Sequence, residues 1–231
     1  MRIQKYLSQN KILSRRETED YIRKGLILCN GVVVKELGFQ MDPEKDKIKV
    51  LSPAGLKAAE KITVAVNKPR GVVSSKNKTE GKTVFELFPE FAHLNTVGRL
   101  DKMSEGLLLL SNDGIVTSTI TASEHKIEKE YEVSVREKII PGKLKLLERG
   151  IMLDDGMTLP TKARIINPHV FRIILKEGRK HQIRRMTDAL NLTIIRLKRL
   201  RIGNIYVKGL SSGAHRVLSG DEVNRLKMLA K

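Results

Sequence analysis

The 231-residue sequence contains one cysteine, no tryptophan and only 4% aromatic residues. A single Cys29 excludes an intramolecular disulfide, and no set of cysteines and histidines has zinc-ligand spacing. No apolar stretch approaches the ~18 residues that a membrane-spanning helix needs. The N-terminus, residues 1–5 (MRIQK), runs into polar sequence without the apolar segment of a secretion signal. We therefore expect a cytoplasmic protein that does not associate with membranes.

Several common catalytic motifs are also missing from the sequence. It has no Walker phosphate loop, no Gly-x-Gly-x-x-Gly fingerprint, no His-Glu-x-x-His pair and no Gly-x-Ser-x-Gly elbow. These absences argue against nucleotide-driven, dinucleotide-dependent, zincin and hydrolase chemistry. We expect a protein that works without an organic cofactor and without a metal.

The charge balance is the strongest compositional signal. Lys and Arg number 44 against 26 Asp and Glu, which gives a formal net charge of +18 and a pI near 10.1. An excess of this size attracts polyanions and accelerates their encounter, so nucleic acid is the expected partner. An anionic membrane is the competing partner, but it usually requires a basic amphipathic helix with bulky apolar anchors. Hydrophobic residues at 40% are sufficient for folded cores.

Residues 1–51 have the pattern of a small module of two short helices followed by a β-hairpin. Ser14 and Glu17 form a capping-box pattern that begins a helix through Lys24, and Gly25 is placed to end it. Residues 26–34 (LILCNGVVV) place Asn-Gly between two β-favouring runs, which is a hairpin signal. The charge of the chain favours RNA contact by this module over a merely solvated basic helix face. The expected RNA-contacting residues here are Arg15, Arg16 and Lys24.

The rest of the chain indicates a second, larger domain. Residues 52–60 (SPAGLKAAE) are small and rich in breakers, as in a linker, and residues 61–231 follow it. Strand patterns fall at 62–66, 107–110, 131–135, 170–176 and 193–200, and helix signals at 141–150 and 219–229. These patterns do not alternate as βαβ units do. We therefore predict an α+β fold, with a mixed, mostly antiparallel sheet and flanking helices.

Two segments have the composition of a functional site. Residues 97–110 (VGRLDKMSEGLLLL) place Arg99 and Asp101 in a glycine-flanked loop before a purely apolar strand. A carboxylate beside such an apolar strand is partly desolvated and needs a nearby cation to remain ionised. The alternative is a turn aspartate that binds its own backbone amides.

The second segment, Arg172 to Arg201, is densely basic and is opposed within its own span only by Glu177 and Asp188. Its cations favour phosphate as a counter-ion, although a solvated charged face is the alternative. They are Arg172, Lys176, Arg179, Lys180, Arg184, Arg185, Arg196, Lys198, Arg199 and Arg201.

These segments resemble the conserved blocks of the RsuA-type ribosomal pseudouridine synthases. Residues 98–114 (GRLDKMSEGLLLLSNDG) resemble the catalytic motif of that family. Residues 67–71 (NKPRG), 129–131 (KEY) and 177–186 (EGRKHQIRRM) are similar to its other blocks and occur in the same order. Residues 1–51 resemble the RNA-binding module named after ribosomal protein S-four, so the likeness covers nearly the whole chain.

The resemblance implies a cofactor-free isomerisation of uridine to pseudouridine. It implies that Asp101 is the catalytic carboxylate, Tyr131 the active-site tyrosine and Arg184 the arginine paired with the aspartate in a bidentate contact. Arg99 would hold the extruded nucleotide or fill its place in the RNA stack. The remaining residues expected to contact RNA are Lys68, Arg179, Lys180 and Arg185.

The resemblance also implies a partner, which is ribosomal RNA or a ribosome assembly intermediate. The sequence of residues 104–106 and 182–186 resembles the family members that modify large-subunit RNA more than the other members. Small-subunit RNA as the target and a non-catalytic assembly factor on the same scaffold remain the alternatives. We expect the protein to act as a monomer.

Overall fold

A computed structural model describes residues 1–10, 12–51 and 60–229, and its contacts divide the chain into two units. The N-terminal unit comprises Met1–Lys61 with Asp113–Ile115, and the C-terminal unit comprises Ile62–Asn112 with Val116–Lys231. The linker expected at 52–60 falls on residues 52–59, which lie outside the described residues, and on Glu60. The predicted domain limits, 1–51 and 61–231, stay predictions.

The N-terminal unit is a pair of helices followed by a three-stranded antiparallel sheet in the order β2-β1-β3. Apolar residues of both helices and of β1 form its core, and Ile3, Leu7 and Ile27 are fully buried. Its elements are α1 (Ile3–Gln9), α2 (Arg15–Arg23), β1 (Ile27–Cys29), β2 (Val32–Val33) and β3 (Ile48–Val50).

Local sequence signals account for most of this unit. Ser14 Oγ accepts the Glu17 backbone N–H at 3.2 Å and the Ser14 N–H donates to Glu17 Oε2 at 2.7 Å, so the predicted capping box begins α2. Asn30 and Gly31 have φ of 52° and 83°, the left-handed values that a two-residue hairpin turn needs. The helix and the hairpin are therefore confirmed, whereas β3 was not predicted.

The C-terminal unit is built on a large mixed sheet with helices packed against it. Its helices are α3 (Val84–Leu87), α4 (Gly114–Thr121, of which Gly114 and Ile115 are grouped with the N-terminal unit), α5 (Pro141–Arg149), α6 (Gln182–Asp188) and α7 (Gly220–Met228). Its strands are β4 (Thr63–Lys68), β5 (Asn95–Val97), β6 (Glu105–Ser111), β7 (Lys129–Val135), β8 (Met152–Leu153), β9 (Gly156–Met157), β10 (Lys162–Asn167), β11 (Val170–Leu175), β12 (Ile194–Ile202), β13 (Ile205–Tyr206) and β14 (His215–Val217).

The main sheet runs in the order β10-β11-β7-β12-β6-β4-β14, with β13 on β12 and β5 on β6. The pairing of β12 with β6 is parallel, and the other pairings in this sheet are antiparallel. The predicted α+β class and mostly antiparallel sheet are confirmed. A separate hairpin joins β8 to β9.

The apolar strand β6 lies at the centre of the C-terminal core. Leu107 and Leu109 pack into one buried cluster, whereas Leu108 and Leu110 pack into another, as expected for alternating faces of a strand. All four leucines are fully buried. This strand fixes the loop that precedes it, which carries Asp101.

The strand predicted at 107–110 extends to Ser111, and helix α4 begins three residues later at Gly114. The Asp113 carboxylate accepts the Ile115 backbone N–H at 2.9 Å, as an aspartate preceding a helix does. Asp113 therefore marks the start of α4. Within the described residues, no helix is long and apolar enough to cross a bilayer.

Candidate active site

A cleft of about 260 Å³ opens in the C-terminal unit beside the loop that precedes β6. Its wall combines this loop, the C-terminal end of α4, the N-terminal end of β7, part of β12, and the chain from the end of β11 into the first turn of α6. The polar and charged residues that line it are Arg99, Asp101, Ser104, Thr121, Ser123, Lys129, Tyr131, Lys176, Glu177, Arg179, His181, Gln182, Arg184 and Arg199.

Asp101 is part-exposed in this cleft and faces two basic side chains. Its Oδ2 lies 3.8 Å from Arg184 Nε, and its Oδ1 lies 3.6 Å from His181 Nε2. The Asp101 backbone carbonyl accepts the Ser104 N–H at 3.0 Å, which closes the loop on itself. The side-chain carboxylate is left to face the cleft rather than its own backbone, which disfavours the turn-aspartate alternative.

The contact between Arg184 and Asp101 is looser than expected. We predicted a bidentate pair, but a single 3.8 Å approach joins the two groups, and the hydrogen bond of the guanidinium goes from Nη2 to Ser104 Oγ at 3.2 Å. Ser104 is fully buried, so it gives Arg184 a fixed anchor. The bidentate geometry is therefore wrong for this structure, while the electrostatic pairing is present.

His181 is a site residue that the sequence reasoning missed. It precedes α6 and has φ of 50°, a left-handed conformation uncommon for a non-glycine residue. This backbone turn directs the chain into α6, which carries Arg184 one turn later. The proximity of His181 to Asp101 depends on the packing of α6, which the local sequence does not show.

Tyr131 lies in the wall of the same cleft, half-buried on β7. In the sheet register it is opposite Ile173 of β11 on one side and Arg199 of β12 on the other. Its ring packs against the apolar cluster that contains Val133 and Phe171. Arg99 also lines the cleft and is exposed. Asp101, Tyr131, Arg184 and Arg99 thus share one cavity.

Known proteins resemble this chain over both units. Residues 62–189 match the family model described as RNA pseudouridylate synthase, and residues 1–47 match the S4 domain. The chain belongs to the RNA pseudouridylate synthase family. It is an enzyme of that class with an N-terminal S4 domain, as the sequence blocks indicated.

Individual relatives agree with this assignment. The chain is 36% identical to the ribosomal large subunit pseudouridine synthase B of Bacillus subtilis (strain 168), over 99% of this chain and 96% of the relative. It is 33% identical to the dual-specificity RNA pseudouridine synthase RluF of Escherichia coli (strain K12), over 96% and 77%. A crystal structure of a pseudouridylate synthase superposes with a TM-score of 0.72 at 29% identity, covering 98% of this chain and 99% of that chain.

Lys68 of the synthase cannot contact RNA directly, contrary to expectation. It is fully buried, and its Nζ donates to the carbonyls of Pro69 at 2.9 Å and Val72 at 2.7 Å. Burial, with a contribution from the nearby Arg199, lowers the pKa of Lys68 to about 8. Its ammonium braces the turn that follows β4. A buried lysine is rare, so sequence alone favours the exposed alternative.

The basic segment is far better neutralised than its own sequence indicated. Acids from the loop before β6, from β6, from β7 and its preceding turn, and from the β8–β9 hairpin face it, in addition to the two acids within its own span. The ion pairs with acids of other segments are Arg172–Glu130, Arg172–Glu132, Lys176–Glu128, Arg179–Asp155, Arg184–Asp101, Arg185–Asp154, Arg185–Asp155, Arg196–Glu105, Arg201–Glu128 and Arg201–Glu130.

Arg179 and Arg185, both expected at the RNA, share one carboxylate. Arg185 donates to Asp155 Oδ1 at 2.9 Å and Oδ2 at 3.0 Å, and Arg179 donates to Oδ1 at 3.2 Å. These donors, Arg185 foremost, lower the pKa of Asp155 to about 2. Both arginines therefore hold the β8–β9 hairpin against the start of α6 in this structure. Lys180 is exposed and remains available for a phosphate.

The S4 domain presents the three basic residues that were assigned to RNA. Arg15 and Arg16 are exposed at the start of α2. Lys24 is also exposed and pairs with Asp20 at 2.7 Å, one turn earlier on the helix. Among the described residues, no group of three or more His, Cys, Asp or Glu side chains is arranged to hold a metal ion.

Proposed function

We propose that this enzyme converts a specific uridine of ribosomal RNA to pseudouridine, with Asp101 as its catalytic carboxylate and with no cofactor. The observation that carries the proposal is the position of Asp101 within 4 Å of both Arg184 and His181, on a cleft that also contains Tyr131. The names of the relatives, which specify ribosomal large subunit and dual-specificity RNA synthases, support RNA as the substrate.

The reaction breaks the bond from carbon 1 of the ribose to nitrogen 1 of uracil, turns the base and joins the same carbon to carbon 5. Asp101 starts it as an anion, either by attacking the sugar or base or by removing a ribose proton. The guanidinium of Arg184 lies 3.8 Å from this carboxylate and the His181 ring lies 3.6 Å from it, so both flank the group that reacts. The proton on carbon 5 leaves at the end and nitrogen 1 takes up a proton, so the product has the atoms of the substrate.

The target base must first leave its stack, which costs a few kcal/mol for flipped bases in general. The half-buried ring of Tyr131 offers a flat surface in the cleft, and base–aromatic stacking contributes roughly 1–3 kcal/mol. Arg99, exposed at the same opening, is suited to contact the extruded nucleotide or the gap that it leaves. Phosphate contacts from Lys180 and the S4 domain then hold the surrounding RNA.

We propose large-subunit RNA as the target, because the relative from Bacillus subtilis carries that name and matches almost end to end. The relative from Escherichia coli is named as dual-specificity, so a second RNA substrate is the main alternative. We further propose that the enzyme acts as a monomer in the cytoplasm, on free ribosomal RNA or an assembly intermediate. A non-catalytic assembly factor is disfavoured, because a pure RNA binder has no use for a carboxylate facing phosphates.

Release of tritium from carbon 5 tests this function directly. Transcripts of large-subunit and small-subunit RNA carrying 5-tritiated uridine are incubated with the purified enzyme and with Asp101→Asn. We expect release from the large-subunit transcript with the native chain only. Release at equal rates by both proteins would overturn the role of Asp101, and no release from any ribosomal transcript or assembly intermediate would overturn the proposed function.

A further inference from the structure

Two cations in the cleft wall are buried or half-buried and have no acid to neutralise them within the part of the chain that the structure describes. Neither Lys129 nor Arg199 forms an ion pair with any carboxylate of the described residues. The only hydrogen bond of the Lys129 ammonium in that part of the chain is to the carbonyl of Ile127, at 3.2 Å. Arg199 is 3% exposed, donates to the carbonyls of Leu107 and Arg99, and leaves Nη2 without a partner in the described residues. Three other basic side chains that line the cleft, Lys176, Arg179 and Arg184, each form an ion pair with an acid.

The neighbours of Lys129 are apolar, so they disfavour a charged group and suit an aliphatic side chain. Its direct cross-strand neighbours are Leu175 of β11 and Ile202 of β12, both buried. Burial, with a smaller contribution from Arg199, lowers the pKa of Lys129 to about 8. An apolar residue would pack here without a desolvation cost. A lysine in this position therefore has no structural advantage, and a role in the cleft explains it better.

Lys129 and Tyr131 lie on the same face of β7, because side chains two residues apart on a strand point the same way. Two residues span roughly 6.6 Å of strand, which is comparable to the length of a uracil ring with its carbonyl oxygens. A base held against Tyr131 therefore brings one carbonyl oxygen within reach of the Lys129 ammonium. Two of the three ammonium donors have no partner among the described residues, so they are available for such an acceptor.

We propose that Lys129 is a further catalytic residue, whose ammonium donates to the uracil carbonyl oxygen that gains negative charge when the glycosidic bond breaks. This inference rests on the proposed function. When the bond between carbon 1 of the ribose and nitrogen 1 breaks, its electron pair stays on uracil and spreads onto the carbonyl oxygens. The pair then forms the bond from carbon 5 to the same ribose carbon. The carbon 5 proton leaves, its electron pair returns to the ring, and nitrogen 1 takes up a proton. Arg199 supports the charged base through its field.

A positively charged Lys129 stabilises the transition state of bond cleavage more than it stabilises the bound substrate, because the negative charge on uracil exists only after cleavage begins. A phosphate contact would instead strengthen binding of the substrate itself. The other charged groups facing this cleft come from the Asp101 loop, β12, and the segment between β11 and α6. They are Arg99, Asp101, Lys176, Glu177, Arg179, His181, Arg184 and Arg199.

Single-turnover kinetics on a large-subunit transcript, together with RNA affinity, test the proposal in Lys129→Met and Lys129→Arg. Methionine fits between Leu175 and Ile202, so we expect the melting temperature to hold or rise. We expect the rate with Lys129→Met to fall at least about 100-fold, as for loss of one oxyanion donor, while RNA affinity stays within threefold. Lys162→Met, which removes one exposed lysine from edge strand β10, should react normally and controls for net charge.

The pH dependence gives a second readout that does not rely on the methionine variant. With native enzyme the single-turnover rate should fall above pH 8 as Lys129 loses its proton. Lys129→Arg should keep a measurable rate and lose that alkaline fall, because arginine stays charged.

Three results would overturn the inference while leaving the proposed function intact. The first is a single-turnover rate of Lys129→Met within twofold of the native rate. The second is a Lys129→Met variant that loses only RNA affinity, with a shallower salt dependence of binding. The third is a native rate that rises above pH 8, which would make Lys129 a base. A native chain that makes no pseudouridine in any ribosomal transcript would instead remove the proposed function.

Discussion

Arg184 Nε lies 3.8 Å from Asp101 Oδ2, while Nη2 of the same guanidinium donates to the buried hydroxyl of Ser104 at 3.2 Å. One end of Arg184 is therefore fixed by the protein, and the other end faces the carboxylate across a gap longer than a hydrogen bond. This arrangement places a fixed positive charge beside Asp101 while leaving the carboxylate oxygens able to approach a substrate.

Arg184→Lys should fold but lose most of its turnover. The single ammonium of lysine cannot anchor on Ser104 and face Asp101 at the same time, whereas the planar guanidinium does both. We expect kcat to fall more than tenfold with a melting temperature close to native. Steady-state kinetics and a thermal melt measure both quantities, and near-native kcat would contradict the account of this pair.

Lys68→Met should leave RNA affinity and its salt dependence unchanged, because the native ammonium is fully buried and bonded to backbone carbonyls. Filter binding at several salt concentrations measures both. Lys180→Met provides the contrast, since that lysine is exposed and we assign it to phosphate. If Lys68→Met remains folded and weakens RNA binding while Lys180→Met does not, then the Lys68 side chain is not buried as described.

The depressed pKa of Lys68 also predicts how stability changes with pH. Between about pH 8 and the ordinary lysine value of 10.5, the unfolded chain binds more protons at this group than the folded chain. Stability contributed by Lys68 must therefore rise with pH across that window. Denaturant unfolding at pH 8 and pH 10 should show the native chain gaining free energy of unfolding relative to Lys68→Met. A difference that is constant or shrinks with pH would contradict the burial of a charged lysine.

Gly106→Ala should destabilise the C-terminal unit severely. Gly106 has φ of 103°, and a Cβ there would lie 2.3 Å from the Arg199 carbonyl oxygen, across the parallel β6–β12 pairing. We expect a loss of at least about 3 kcal/mol, which is typical of strained backbone combined with a steric clash. Gly142→Ala in helix α5 meets no atom within 4 Å and should instead gain about 0.5–1 kcal/mol. Equal stabilities for the two variants, measured by urea unfolding, would contradict this packing.

Combined Arg15→Ala and Arg16→Ala changes should weaken ribosomal RNA binding without lowering the rate at saturating enzyme. Both side chains are exposed at the start of α2 and are assigned to phosphates. Each arginine that neutralises a phosphate contributes about one to the slope of log affinity against log salt, so losing both should reduce the magnitude of the slope by about two. Unchanged affinity and slope would mean that the S4 domain binds RNA through another surface.

Sequence patterns predicted the features that depend on neighbouring residues. The Ser14–Glu17 capping box and the Asn30–Gly31 hairpin turn are encoded within a few positions, and the structure confirms both. Strand β3 and helix α4 escaped prediction because a three-residue strand and a glycine start carry little local signal. The grouping of Asp101 and Arg184 came from the family resemblance, since the two residues are far apart in the chain.

The charge environment was the least predictable part of the site. Glu128 and Glu132 neutralise Arg201 and Arg172 only because β7 lies between β11 and β12, and that pairing is not visible in the local sequence. The same non-local packing buries Lys68 and leaves Lys129 without an acid among the described residues. Composition correctly indicated a polyanionic partner, but which cations remain available to it is decided by tertiary structure.

Pseudouridine mapping on ribosomal RNA from cells that lack this protein tests the central claim most directly. Carbodiimide-stopped primer extension reads each modified position, and the deletion strain is complemented with the native chain or with Asp101→Asn. We predict that one large-subunit stop disappears in the deletion strain, returns with the native chain and stays absent with Asp101→Asn, even though that variant still binds RNA within a few-fold. A map that is unchanged by the deletion, or a stop that Asp101→Asn restores, would contradict the account.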